Sequence, residues 1–177
     1  MDMPPWADIA AMKLAIEEDA ATLNIVGDLT LFMAYSGIYK PVNPQKYKGN
    51  PTRIIYRSMW ERKLFVYCDL TANILEWGSE EIIIPYRCPT DGRVHRYYPD
   101  VYIKVKSSSG ECKKYLVEVK PKKQVEGPSP TPKRKTVAWK REVLTFMKNQ
   151  AKWEAAKDFC ADRQMKFIIL TEDHLKV

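Results

Sequence analysis

Hydrophobic and polar positions alternate with period two in two stretches near the middle of the chain, and this alternation predicts strands. In Tyr97-Tyr98-Pro99-Asp100-Val101-Tyr102-Ile103-Lys104-Val105, the residues Pro99, Val101, Ile103 and Val105 share one face and Asp100 lies on the other. In Tyr115-Leu116-Val117-Glu118-Val119-Lys120, Val117 and Val119 face one way, and Leu116, Glu118 and Lys120 the other. Ser107 to Gly110 predicts a turn between the two strands. As neighbours they bring Asp100, Glu118 and Lys120 together. Upstream, Ile82 to Tyr86 reads as a third strand, joined to the Asp100 strand through the hairpin signal Asp91-Gly92.

Other stretches carry helical spacing. A helix is expected from about Ile9 to Leu23 with Asp8 as N-cap. Ser58 caps a second helix running to about Asp69, and Glu61 three residues on completes a capping box. Trp60, Leu64 and Cys68 fall on one face of it, with Tyr67 beside them. A long helix is expected from Val137 to Asp162, with Val143, Phe146, Trp153 and Ala156 near one stripe and Gln150 lying in it. Met165 to Thr171 then reads as a buried apolar strand. The stretch from Ala34 to Pro51 is rich in Tyr, Pro, Lys, Asn and Gly, which predicts an extended arm outside the core. Residues 121–136 combine Pro121, Pro128, Pro130 and Pro132 with Lys122, Lys123, Lys133, Arg134 and Lys135, a basic loop too polar to pack.

The order is helix, three-strand meander, helix, strand. It predicts an α/β fold with a mixed sheet and flanking helices. The first three strands are joined by short turns and should be antiparallel. The last returns through a helix and can pair in parallel.

Length and charge narrow this picture. The chain has 177 residues, enough for one ordinary core. No apolar run reaches the roughly 18 residues of a membrane span, and Glu17, Glu18 and Asp19 interrupt the first 32 residues in a way that no signal peptide shows. In residues 1–32 six acids (Asp2, Asp8, Glu17, Glu18, Asp19 and Asp28) stand against Lys13, a local charge of −5; the other 28 bases and 16 acids leave the body at +12. So basic a body points to a polyanion, nucleic acid first. Cys68, Cys88, Cys112 and Cys160 form no CxxC knuckle, and His95 and His174 are the only histidines, so structural zinc is not expected. The four thiols read as free.

Two carboxylates make a hard oxygen site suited to Mg²⁺, and a lysine beside them can orient water or stabilise charge on a phosphate. The bland alternative is an exposed cross-strand salt bridge worth about 0–1 kcal/mol. Glu80 and Glu81 read as surface charge, His95 as a satisfied structural histidine, and Trp60, Trp77 and Trp153 as core. The loop at 121–136 and the arm at 34–57 are the expected phosphate-contact surfaces. No recognition helix or zinc finger is present, so little sequence preference is expected.

A helix glutamate, Pro-Asp, Glu-x-Lys and a later helix glutamine together resemble the PD-(D/E)xK, or restriction-endonuclease-like, superfamily. Tyr56 to Lys63, Glu76 to Glu81, Pro85-Tyr86-Arg87, His95 to Asp100 and Asn149 to Trp153 resemble the head completion nucleases of T-even-type tailed phages. That family is in turn similar to the N-terminal catalytic domain of transposon endonucleases. The likeness covers about residues 33–177 as one nuclease domain and leaves 1–32 as an acidic N-terminal extension.

The resemblance implies metal-dependent hydrolysis of phosphodiester bonds in double-stranded DNA. It implies action on packaged phage DNA before head–tail joining, in the host cytoplasm or the virion, with portal or neck proteins as possible partners and no membrane. Asp100, Glu118 and Glu61 would bind Mg²⁺, with Mn²⁺ substituting. Lys120 would position or help deprotonate the attacking water, and Gln150 would hydrogen-bond near the metal. Glu61 serves equally as the N3 partner of Ser58. The competing expectation is a neck or head-vertex structural protein with a vestigial nuclease site, whose role is to bind DNA or the head vertex; a transposition or repair endonuclease is a third.

Overall fold

The computed structural model describes residues 36–107, 109–130 and 132–175. The expected helix at 9–23, and the whole acidic segment 1–32, lie outside the described residues. The first described strands are β1 (Gly37–Tyr39) and β2 (Ile54–Tyr56), an antiparallel pair. Helix α1 (Met59–Leu70) follows, then β3 (Ile74–Ser79). A hairpin of β4 (Ile84–Arg87) and β5 (Val94–Tyr97) leads to β6 (Val101–Lys106) and β7 (Cys112–Val119). The short α2 (Lys122–Glu126), the long α3 (Val137–Ala161), β8 (Lys166–Leu170) and α4 (Glu172–Leu175) complete the order.

The principal sheet runs β3-β6-β7-β8. β3 and β7 both lie antiparallel to β6, and β8 joins β7 in parallel through the α3 crossover. The mixed α/β sheet therefore matches the expectation, but the first meander strand is β3 rather than the stretch at Ile82. β4 instead pairs with β5 in a separate two-stranded sheet. The expected continuous strand from Tyr97 to Val105 is broken. β5 ends at Tyr97 and β6 begins at Val101, so Tyr98-Pro99-Asp100 carries the chain from one sheet to the other. Pro99 has no N–H for a ladder bond, which suits it to this break.

Each face of the principal sheet has its own core. Val101, Ile103, Val117, Val119 and Leu170 pack with Leu64, Phe65 and Cys68 of α1. Tyr102 and Leu116, on the opposite face, pack with Ala156 and Cys160 of α3 and with Ile84, Tyr86 and Tyr97 of the β4–β5 hairpin. Trp77 and Trp153 are buried core residues, and Trp60 packs at the edge. All four cysteines are free; Cys112 alone is exposed.

The part of the expected arm at 34–57 that is described, from residue 36, is a core element instead. Tyr39, Tyr47, Ile54 and Tyr56 are buried in the α1-side core. Tyr47 meets Trp77 edge-on at 4.8 Å between ring centroids. The polar backbone of the segment is satisfied by one buried carboxylate. Asp69 accepts from Tyr39 Oη at 2.8 Å, Val42 N at 2.6 Å and Asn43 N at 2.9 Å. Lys46 Nζ closes the end of α1 by donating to the carbonyls of Asp69 and Thr71, both at 2.8 Å. The segment also lies close against β3: Lys48 N donates to Trp77 O at 2.7 Å, and a Cβ on Gly78 would fall 2.8 Å from the Lys48 carbonyl oxygen. Composition alone hides all this, because the buried partners lie 23 to 34 residues away.

Asp69→Asn should lower unfolding stability by about 1–3 kcal/mol, because an amide cannot accept from three donors as two carboxylate oxygens do and leaves a buried donor unmet. Urea unfolding checks it through a lower midpoint at unchanged slope. An unchanged midpoint would mean that Asp69 does not hold the segment.

Candidate active site

The site forms where β6 begins and β7 ends. Val101 pairs with Val117 in the last step of the β6–β7 ladder at this end. Asp100 Oδ2 accepts from Val119 N at 2.7 Å, which ties the break before β6 to the last residue of β7. Lys120 N donates to Leu170 O at 2.9 Å and extends the β7–β8 pairing by one step. Asp100 is thus held through its side chain, and Lys120 through its backbone, to neighbouring strands.

Glu118 is 3 % exposed, on the same face as Leu116 and next to the α3-side core. A carboxylate buried so deeply requires partners, and it has two. Tyr97 Oη donates to Oε2 at 2.7 Å, and Lys120 Nζ lies 3.0 Å from Oε1. Burial pushes the Asp100 carboxyl up to about 7, and the charge of Glu118 adds to the rise, outweighing Lys120 and the Val119 N–H. Lys120 behaves oppositely. Burial works against its charge, but Glu118, Asp100 and Glu61 outweigh burial and raise its pKa. The group at the strand end is therefore an ammonium.

Glu61 stands at the first turn of α1. Its N–H donates to Ser58 Oγ at 3.1 Å, its Oε1 accepts from Ser58 Oγ at 2.9 Å, and its Oε2 accepts from Arg57 N at 2.8 Å. The capping role is thus occupied. The same carboxylate still acts on the site, since its charge helps raise both Asp100 and Lys120. In this rotamer both of its oxygens are taken at the start of α1.

Gln150 lies on the long helix α3. It is exposed there, and the neighbouring Asn149 is the buried amide, 6 % exposed. Asn149 lines a cleft of about 280 Å³ with Lys123, Gln124, Gly127, Arg141 and Phe146, between α2 and α3. The stripe of α3 passes between positions 149 and 150, and helical spacing alone does not choose between them.

Three further residues surround the site. Tyr97 anchors Glu118. Arg57 pairs with Glu80, and its guanidinium is raised by Glu80 and further by Glu61 and Asp100. Glu80 takes a left-handed backbone conformation, φ 55°, and its N–H donates to the Asp100 carbonyl at 3.2 Å. It is thus a neighbour of the site rather than plain surface charge.

The basic segment at 121–136 is only partly a loop. Lys122 and Lys123 lie in α2, where Lys122 Nζ is 3.0 Å from Asp173 and Lys123 Nζ is 3.1 Å from Glu142. Trp139 Nε1 donates to the Ser129 carbonyl at 2.9 Å and fastens the segment to α3. Lys133, Arg134 and Lys135 are exposed.

The chain that carries this group is similar to known proteins. The family described as "TnsA-like endonuclease N terminal" matches residues 71–172, a span containing Asp100, Glu118 and Lys120. The chain belongs to that family. It is also 42 % identical over 147 residues to the head completion nuclease of Enterobacteria phage T4, covering 81 % of this chain and 95 % of that protein. Membership agrees with the mixed sheet and its layered helices, a restriction-endonuclease-like arrangement.

A divalent cation fits this donor set. Burial and the charge of Glu118 leave too little positive charge around Asp100 to keep it fully ionised at neutral pH. A cation bound there would relieve that imbalance, and oxygen donors of this kind suit Mg²⁺ or Mn²⁺.

Proposed function

We propose that the protein is a divalent-metal-dependent DNA nuclease of the PD-(D/E)xK type that acts on phage DNA during head completion and head–tail joining. The reading rests on one observation above all: buried Glu118 shares Lys120 at 3.0 Å beside an Asp100 raised to about 7. A structural ion pair would have no need of a second, partly protonated carboxyl in the same place. Asp100 and Glu118 would hold Mg²⁺, with Glu61 as third carboxylate and Mn²⁺ able to substitute. The bound ion would supply a lowered water pKa and charge neutralisation at the phosphate.

The chain's own residues do the remainder. Lys120, protonated, orients the water and lies ready for the negative charge that develops on the phosphoryl oxygens. In the metal-free protein its carboxylate neighbours raise its pKa, which favours the orienting role over that of a base. Tyr97 fixes the Glu118 rotamer through its 2.7 Å hydrogen bond, and the Val119 N–H fixes Asp100. The T4 relative is named a head completion nuclease; in this reading the present chain acts at the same stage, in the host cytoplasm or the virion and beside portal or neck proteins. Incubating supercoiled and linear duplex DNA with the purified protein in Mg²⁺, Mn²⁺ or EDTA tests the reading. Cleavage should require the ion; an intact plasmid under every condition would sink it.

DNA is held, in this reading, by the basic segment. Lys122 and Lys123 can exchange their exposed ion pairs for phosphates. Replacing Lys133, Arg134 and Lys135 together by alanine should weaken binding equally for all sequences. It should also flatten the slope of log affinity against log salt by up to about 3. Fluorescence anisotropy across a salt series measures it, and an unchanged slope would remove this segment from the interface.

A further inference from the structure

We propose that Cys88, Asp91 and His95 form a second metal site, at the tip of the β4–β5 hairpin, that takes a zinc-class cation. Their ligating atoms lie within 4.8 Å of one another. A tetrahedral ion with bonds of about 2.0–2.3 Å spaces its ligands roughly 3.3–3.8 Å apart. Small side-chain rotations therefore close the set. Asp91 Oδ2 and His95 Nε2, hydrogen-bonded at 2.8 Å, would part slightly to admit the ion.

The scaffold for these ligands is already built. Gly92, in the left-handed region at φ 70°, turns the chain tightly. Cys88 N donates to Arg93 O at 2.8 Å, and Gly92 N to Cys88 O at 2.9 Å. Arg93 N donates to Asp91 Oδ1 at 3.0 Å, which orients the carboxylate and leaves Oδ2 for the metal. The Cys88 sulfur is buried beside Thr90 Oγ1 at 3.1 Å. The His95 ring packs against Tyr86 at 5.9 Å between centroids.

The ligand chemistry separates this site from the nuclease centre. Sulfur, imidazole and one carboxylate suit Zn²⁺ or Co²⁺, whereas the all-carboxylate centre suits Mg²⁺. Three protein ligands leave a fourth position for water. Binding would release the Cys88 thiol proton as the thiolate–metal bond forms. The spacing is Cys-x2-Asp-x3-His, which a search for paired cysteines passes over. The hairpin pinned in this way is the one that ends at Tyr97, the partner of Glu118.

Cobalt titration of the metal-stripped full chain under reducing conditions tests the site. One equivalent should produce a thiolate-to-cobalt charge-transfer band in the near ultraviolet, removed by Zn²⁺. Cys88→Ser should abolish the band, and Cys112→Ser, at the exposed cysteine, should keep it. Asp91→Asn and His95→Ala, both at exposed positions, should weaken cobalt affinity by at least about 10-fold, the loss that removing even a supporting partner produces. A double variant Asp100→Asn, Glu118→Gln should retain the band. No band in the parent, a band that survives Cys88→Ser, or one lost with Cys112→Ser would overturn the proposal. So would unchanged affinity in His95→Ala.

Discussion

Plasmid nicking by a Lys120→Ala variant should fall by about 10²–10³-fold, the loss that follows removal of one preorganised charge donor from a transition state. DNA affinity should stay near that of the parent, and melting should fall, because buried Glu118 loses one of its two partners. The expectation rests on where the ammonium sits. Its backbone N–H is fixed to Leu170 O, and its side chain is 26 % exposed with Nζ 3.0 Å from Glu118. It is a strand-end cation held in place before substrate arrives. Positioning of this kind is realised fully only as charge builds on the phosphate, so its removal lowers turnover more than binding. Lys120→Arg should rescue poorly, because a planar guanidinium cannot occupy the place of a compact ammonium donor. Gel densitometry of nicked and linear plasmid reads the rate, and anisotropy reads the affinity. Undiminished cleavage by Lys120→Ala would exclude a transition-state role for the Glu118–Lys120 pair.

Some of this site is legible in the sequence, and the reason is geometric. The period-two rule sets Glu118 and Lys120 on one face, and the turn at 107–110 brings them to Asp100. Ser58 and Glu61 announce the start of α1 through capping chemistry that acts over three residues. The features that stay hidden depend on contacts distant in the chain. Strand β3 is obscured because Ile74-Leu75-Glu76-Trp77-Gly78-Ser79 alternates imperfectly; its register with β6 shifts between Ile74 and Glu76. Tyr97 reads as one more aromatic in a tyrosine-rich stretch until the fold places Glu118 beside it. Asp69 ends an ordinary helix until Tyr39, Val42 and Asn43 are found bonded to it. Asp91-Gly92 announces a hairpin turn, but the closure of that turn also joins Cys88 to His95, a meeting that spacing along the chain does not disclose.

An Asp100→Asn variant should melt higher than the parent at pH 8, lose the response to divalent ions, and cleave DNA at least about 10²-fold more slowly. Asp100 has a folded-state pKa of about 7 against a reference of 3.8. Between those values the native protein binds more protons than the unfolded chain, so stability falls as pH rises from about 4 to about 7 and is level above. A tenfold change in proton affinity between the folded and unfolded chain corresponds to about 1.4 kcal/mol. The upward shift of this one buried carboxyl brings the effect to about 2–4 kcal/mol. Asparagine carries no charge to bury, and its carbonyl can still accept from Val119 N–H. The difference in melting temperature between variant and parent should therefore be near zero at pH 4 and grow to about 5 °C or more by pH 8. Saturating Mg²⁺ at pH 8 should raise the parent, since an ion that binds only the folded state stabilises it by mass action. The variant should hardly move, and the gap should close. Calorimetry at pH 4, 6 and 8, with Mg²⁺ or EDTA, separates the two effects. A gap that does not change with pH would mean that Asp100 carries no unbalanced charge. A variant that gains as much as the parent from Mg²⁺ would place the ion elsewhere.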